Sequence, residues 1–461
     1  MTKAPSMDIA IIGAGFSGNL TAVNLLLNSK SKEIPCSITI INGAESFYRG
    51  LAYSNWDDNL LLNVPAGNMS AFVDRPSHFT EYCQKLDPSL NEGSFVSRRI
   101  YGDYLEDIIK DAQDFSGIKI NRIDNQVTSI KKDHGLDKLE LSLLSGEKLY
   151  SDKIVLAIGH SIPKSPSIFK DLAGDPRYLP NPWNFSALDN LPKNLPVLLI
   201  GSGLTAIDTA FRLTSVSKRK VILFSRKGLL PQGHRSSPKR PSANVFPEYL
   251  GQPELKIRET VRALRNEIEK RTLSGDDWRD VINELRPYTP EIWRRFSTEE
   301  KQKFLNKVCG YWDIHRHRIA PVAFKRLEKL FATKQLNQQS GRLEQIVATK
   351  EAINIQLRNK QNEILSLDIG SIVNCTGPNN DISVLTDPLI QQLYKDGLIS
   401  QDANKIGIEV NDHYEVIGSD GKSVSNLFYI GPMLKAKYWE AIAVPELRQH
   451  TQNVALELLL K

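Results

Sequence analysis

Ile9-Ala-Ile-Ile12-Gly13-Ala-Gly15-Phe-Ser-Gly18 decides the fold. An apolar run of strand character enters a glycine-rich corner. Apolar residues then return at helical spacing from Gly18 to Leu27, and a second apolar run follows at Ile38–Ile41. Strand, turn, helix and strand make one βαβ unit at the head of the chain. In that setting each glycine has a physical task. Gly13 permits the tight turn, Gly15 lets backbone amides approach a pyrophosphate, and Gly18 allows the helix to pack closely on the strand. The helix N-terminus adds positive potential for the same anion. A bound dinucleotide is the expectation. The acidic residue that should end the second strand is replaced by Asn42, so the ribose partner is either Asn42 or Glu45.

Working outward, the same order repeats. Val197–Ile200 runs into Gly201-Ser-Gly203-Leu-Thr205-Ala206, a helix to about Leu213 and a strand at Val221–Phe224. Leu139, Leu141 and Leu143 alternate with polar neighbours, as do Ile353, Ile355 and Leu357, so each unit carries a small antiparallel addition. Ala157-Ile-Gly159 and Cys375-Thr-Gly377 close the two repeats with strands that end in small-residue turns. The pattern predicts an α/β chain of two dinucleotide-binding, Rossmann-like, three-layer domains, the second inserted in the first. The expected boundaries are 1–185 for the first part of the first domain, 193–378 for the second domain and 379–461 for the return to the first. A helical insertion is expected at about 240–315. Ile257, Val261, Leu264 and Ile268 recur there at helical spacing, and Ser297-Thr-Glu-Glu300 is a capping box. Pro231-Gln-Gly233, Pro238 and Pro241 mark its entry as a loop, and Ala443–Leu460 reads as a closing helix.

The strand after the second corner ends Ser225-Arg226-Lys227, without an acid. A carboxylate there would repel a 2′-phosphate, whereas these side chains suit one, which favours NADPH over NADH. Two dinucleotide folds in one chain imply transfer of electrons between nucleotides. FAD is expected on Gly13, Gly15, Gly18 and Gly159, and NADPH on Gly201, Gly203, Thr205, Ser225, Arg226, Lys227 and Gly377.

The bulk numbers narrow the alternatives. At 461 residues the chain exceeds one compact core. A net charge of +6 is too small for this length to imply nucleic acid. No apolar run approaches the roughly 18 residues of a membrane span, and the first residues lack the features of a signal peptide. A soluble, cytoplasmic protein is expected, with oligomerisation left open. Cys36, Cys83, Cys309 and Cys375 are far apart, so no dithiol centre is expected, and Cys375 reads as a small buried residue. Electrons that reach the flavin would then leave to dioxygen or directly to a substrate. His315-Arg-His-Arg318 has three readings: metal ligands, a cationic wall for an anion, or structural hydrogen bonding. With no nearby cysteine or paired carboxylate, no metal is expected. His234-Arg235, beside the expected phosphate loop, has the last two readings.

Several motifs taken in order resemble the FAD-NAD(P)-binding protein family, a bacterial group allied to flavin-dependent N-hydroxylating monooxygenases. They include Arg49-Gly-Leu-Ala-Tyr53, Asn63-Val-Pro-Ala66, Arg99-Ile-Tyr-Gly102, Gly201–Asp208, Trp312–Arg318, Asn374-Cys-Thr-Gly-Pro378 and Trp439–Glu446. The resemblance implies that Gly50–Tyr53 and Asn63–Ala66 lie near the isoalloxazine and ribityl parts of FAD. It also implies that Gly431-Pro432 lies at the pyrimidine edge, where a helix N-terminus would stabilise negative charge. Catalytic residues are not identified; the candidates are Asn63, Arg316 and Arg318. The expected activity is an NADPH-consuming, FAD-dependent monooxygenase acting on a small amine or amino-acid-like nucleophile. The alternatives are an NADPH-dependent flavin reductase or dehydrogenase, and a non-catalytic redox sensor.

Overall fold

The computed structural model describes residues 6–43, 46–54, 57–133, 135–235 and 245–460. Glu45, Pro238 and Pro241 lie outside the described residues. Strand β1 (Met7–Ile12) enters helix α1 (Phe16–Lys32) and β2 (Cys36–Ile41). Helices α2 (His78–Leu86) and α3 (Arg98–Ser116) follow, then β3 (Asn121–Ile123). Next come an antiparallel meander, β4 (Val127–Asp133), β5 (Lys138–Leu143) and β6 (Lys148–Ser151), and then β7 (Lys153–Leu156). Ile9–Ile12 of β1 and Ile154–Leu156 of β7 are apolar and buried, as parallel strands between helical layers must be. β5 buries alternate residues, as a strand with one wet face does. Helix α3 opens on Ser97, whose hydroxyl accepts from Ile100 N at 3.4 Å, and closes at Gly117 with φ +73°.

The second unit comprises β8 (Tyr178–Leu179), α4 (Phe185–Asp189), β9 (Val197–Ile200), α5 (Leu204–Ser217) and β10 (Val221–Ser225). The helical insertion then runs through α6 (Ile257–Leu273), α7 (Trp278–Leu285), α8 (Thr289–Arg295), α9 (Thr298–Lys303) and α10 (Cys309–Arg316). Helix α11 (Pro321–Ala332) leads back into β11 (Leu336–Ser340). A meander of β12 (Arg342–Ala348), β13 (Ile353–Arg358) and β14 (Ile364–Ile369) precedes β15 (Ser371–Asn374). The chain returns through α12 (Pro388–Lys395), β16 (Glu415–Ile417), β17 (Ser423–Tyr429), α13 (Lys435–Tyr438) and α14 (Val444–Leu460).

The strand orders make the duplication explicit. The first sheet runs β16-β17-β7-β1-β2-β3 and the second β11-β10-β9-β15-β8. Thus β1 and β9 are equivalent, as are β2 and β10, β3 and β11, and β7 and β15. This bears out the α/β class and the insertion of the second unit in the first. The fifth strand differs: β17 follows the second unit in sequence, whereas β8 precedes β9. In consequence residues 167–185, expected with the first domain, belong elsewhere. Phe169, Leu172 and Tyr178 pack with Ile200 and Ile372 in the second unit's core. A two-residue strand paired with one about 190 residues later has no local signature.

Candidate functional site

Both glycine corners sit at the C-terminal ends of their central strands. Gly13 has φ +104°, and a Cβ there would stand 2.4 Å from the Ala157 carbonyl oxygen. Gly201 has φ +115°, and a Cβ there would stand 2.3 Å from the Cys375 carbonyl oxygen. The closing turns are therefore wedged against the opening corners in the same way in both units. Gly159 and Gly377, two residues further on, have φ +65° and +92° with open space where a Cβ would be. Cys375 is buried, and burial pushes its thiol up to about 12, so it stays protonated.

Around the first corner the packing is tight. A Cβ on Gly18 would lie 2.0 Å from the Gly13 carbonyl oxygen, so α1 approaches β1 only with glycine there. Gly50, at φ +67°, would place a Cβ 2.8 Å from Gly15 Cα, so the 49–53 loop lies directly on the corner. Gly102 would clash with the Tyr53 carbonyl oxygen at 2.4 Å, which explains why the Arg49–Tyr53 and Arg99–Gly102 motifs occur together. Arg49 is buried between α3 carboxylates, with Nε 2.6 Å from Glu106 and Nη2 2.7 Å from Asp103. Asn42 accepts from Ala14 N at 3.2 Å and donates to the Ser46 carbonyl at 3.2 Å. It buttresses the glycine turn as well as facing the cavity.

That cavity measures about 1760 Å³, well above the roughly 300–1,000 Å³ of ordinary small-molecule pockets. Gly13, Gly15, Asn42, Gly50 and Gly159 line it, and the second unit contributes Trp183–Ser186 and Arg212. It fits a dinucleotide: two glycine backbones are bare on its wall and a helix N-terminus points into it. Gly18 and Tyr53 are not on the wall. Gly18 packs beneath it, and Tyr53 meets the rings of Phe16 and Tyr101 edge-on, where burial pushes its phenol up to about 12. Arg122 and His160 are among the wall residues that escaped the sequence reading. Arg122 lies over Phe47, 4.5 Å from the ring centroid. His160 lines the cavity immediately after Gly159, and burial first, then Lys435, lowers it to about 4. Position next to Gly159 was the available signal for His160; Arg122 had none.

Gly431, φ +146°, follows β17, and a Cβ there would stand 4.0 Å from Gly159 N, so these two turns adjoin. The expected helix N-terminus is different, however. Gly431-Pro432 opens only a three-residue turn and the four-residue α13, and the long closing helix begins at Val444. A short turn carries little dipole.

The second corner is open. Nothing stands within 4 Å of a Cβ built on Gly203, which caps α5, and Thr205 lies in the first turn of that helix. The Ser225 hydroxyl accepts from Gly228 N at 3.1 Å and lies 2.9 Å from Ser202 Oγ, so it shapes the loop. Lys227 reaches the Lys307 carbonyl at 3.4 Å and lies over Tyr311. Arg226 is exposed and, among the described residues, has no hydrogen-bond or ion-pair partner.

The catalytic candidates are placed differently from expectation. Asn63 is not on the cavity wall; its carbonyl accepts from His234 Nε2 at 2.9 Å, tying the first unit to the loop before the insertion. Burial lowers His234 to about 4, with Arg318 adding to the shift. Arg316 is buried and its Nη2 lies 3.1 Å from Glu440, itself only 2% exposed. Arg318 is buried and donates to Asn283. Neither is a free cation facing a ligand, and the buried pair belongs to the contact between the insertion and the C-terminal segment. His315 and His317 fall at the end of a helix rather than on a strand face. Among the described residues no group of three or more His, Cys, Asp or Glu is placed to hold a metal. No described helix is long and apolar enough to cross a membrane.

Residues 10–161 match the model of the FAD-NAD(P)-binding family. The matched segment covers the first glycine corner, the meander and the Gly159 turn. No curated protein matches the chain. Among solved structures it is similar to reduced ornithine hydroxylase (PvdA) from Pseudomonas aeruginosa, at 13% identity over 99% of both chains, with a TM-score of 0.67. It is also similar to L-lysine 6-monooxygenase from Pseudomonas syringae, at 16% identity, 99% of this chain, 100% of that one and a TM-score of 0.66. The FAD-bound cadaverine monooxygenase DfoA from Erwinia amylovora gives 13% identity, coverage of 99% and 95%, and a TM-score of 0.62. These likenesses show the fold over the whole chain, beyond the matched segment.

Proposed function

We propose that the chain is an FAD- and NADPH-dependent monooxygenase that hydroxylates the nitrogen of a small primary amine. One observation carries this reading: the large cavity built on the first glycine corner extends to residues of the second unit, which carries an open glycine corner of its own. Full-length likeness to ornithine, lysine and cadaverine monooxygenases supports the reaction class. Free, widely spaced cysteines argue against a dithiol acceptor.

Bound FAD would supply hydride acceptance and dioxygen chemistry. The chain holds it through Gly13, Gly15 and the α1 N-terminus at the diphosphate, with Asn42 at the adenosine side and Gly50, Gly159 and Gly431 close to the ring system. Gly203 and Thr205 would hold the NADPH diphosphate, with Gly377 beside them and Arg226 at the 2′-phosphate. His160, held neutral at pH 7, presents an uncharged imidazole to the cavity. Arg316 is balanced by Glu440 and Arg318 is committed to Asn283, so substrate binding on this reading does not require a carboxylate partner there. The free cysteines fit a cytoplasmic location.

The test is spectroscopic, then chemical. Purified protein should be yellow and lose that colour on anaerobic addition of NADPH, far faster than with NADH. In air, ornithine, lysine or cadaverine should yield a hydroxylamine in proportion to NADPH consumed. Recovery of every reducing equivalent as hydrogen peroxide, whatever amine is supplied, would overturn the proposal.

A further inference from the structure

The helical insertion carries a second concavity, about 590 Å³, between α6 and the turn that joins α9 to α10. Its apolar lining is Ile257, Val261 and Val308. Arg258, Arg262 and Arg265 line it from α6, with Lys303 and Lys307 opposite. All five cations are exposed. Lys303 is paired with Glu300 at 2.5 Å, and Glu300 also accepts from Ile257 N at 2.7 Å. The other four have no carboxylate partner among the described residues. The residues outside the described set contain a single carboxylate, Glu45, so they offer no acidic segment to cover the groove.

We propose that this groove receives an acidic amphipathic helix of a partner protein. The α6 residues that line it fall at positions 257, 258, 261, 262, 265 and 266, one continuous stripe of a helix. A groove between two helices, with an apolar floor and like-charged rims, matches an incoming helix that presents apolar side chains at i and i+4 and carboxylates on either flank. Charge complementarity selects the sign and speeds encounter, while the floor supplies register. A lipid surface would need the apolar groups to protrude, but here they lie below the cations. A single-stranded nucleic acid would need aromatic stacking platforms, and none lines the groove. The mild net charge of +6 leaves this patch as a local feature rather than a property of the whole surface. The site is independent of the flavin chemistry.

Fluorescence anisotropy with the full-length protein tests it. The probe is a labelled synthetic peptide with leucines on one helical face and glutamates on the other; the control is the same composition in scrambled order. The patterned peptide should bind, lose affinity as salt is raised, and outcompete the scrambled one by at least about tenfold. R258E/R262E should abolish that preference, and Val261→Ser should weaken it without altering the salt dependence. NADPH oxidation should be unchanged in R258E/R262E, which separates this claim from the catalytic one. Equal binding of the scrambled peptide, tighter binding to anionic vesicles than to the patterned peptide, or no effect of R258E/R262E would each overturn the proposal.

Discussion

The two nucleotide units share a topology and differ in how firmly their corners are packed. In the first, Gly18 lies against Gly13, Gly50 covers Gly15, and Asn42 holds Ala14 from the neighbouring strand. In the second, Ala206 takes the third-glycine place, Gly203 stands in the open, and Arg226 has no partner among the described residues. A ligand that stays for the life of the protein can be built into the core. One that must leave in every turnover needs an accessible mouth and must not be needed for folding. On the proposed function this is the difference between a resident FAD and an exchanging NADPH.

The comparison breaks most visibly at Gly18. Gly18→Ala puts a methyl against the Gly13 carbonyl, and backbone cannot yield as a flexible side chain can. We expect a cost of about 3 kcal/mol together with loss of bound flavin. Flavin absorbance per polypeptide and the thermal midpoint measure both; a yellow variant of wild-type stability would show that the first corner is not the tighter one. Arg98→Met probes the contact between units. Arg98 meets Asp208 at 2.6 Å, with side chains only 9% and 15% exposed. Burial raises the Asp208 carboxyl and Arg98 opposes the shift. Removing the cation strands a buried carboxylate, a loss of about 3 kcal/mol. D208N in the same background should restore part of it, and failure to restore any would assign the loss to packing.

Changes at the second corner should leave the fold alone. Gly203→Ala adds a methyl to open space at a helix cap, worth a few tenths of a kcal/mol in stability. It would crowd a diphosphate, and we expect the KM for NADPH to rise about tenfold, about 1.4 kcal/mol, with flavin content intact. Arg226→Ala should raise the KM for NADPH by a similar factor while leaving NADH nearly unaffected. Equal effects on both coenzymes would remove Arg226 from the 2′-phosphate.

These expectations rest on what a linear sequence can and cannot carry. The corners were legible because turn, strand and helix signals are local and glycine has few substitutes at φ above +100°. The helical insertion was legible from its spacing. The two-residue β8 was not, because its pairing with β15 is non-local and two residues show no period. The reading of Arg316 as a wall for an anion stayed open beside structural hydrogen bonding because Glu440, 124 positions away, is invisible from its neighbourhood. The motif at Asn63 was recognised, but its role as an acceptor for His234 follows from a contact across 171 residues.

That contact supplies the subtlest test of how the halves are joined. His234 is lowered to about 4, mainly by burial and then by Arg318, against an unfolded value of about 6.5. The unfolded chain therefore binds more protons between these values, so stability rises with pH across the window. Stability contributed by the neutral imidazole is present at pH 7 and is lost as pH falls from about 6.5 through about 4. His450 is lowered to about 4 by burial and acts in the same direction. Between pH 7 and pH 5 the His234 share should be about 2 kcal/mol. His234→Gln keeps an N–H for the Asn63 carbonyl but cannot titrate, so its thermal midpoint should fall less steeply over that range than wild type. Parallel slopes would mean that His234 titrates no differently in the folded and unfolded chains.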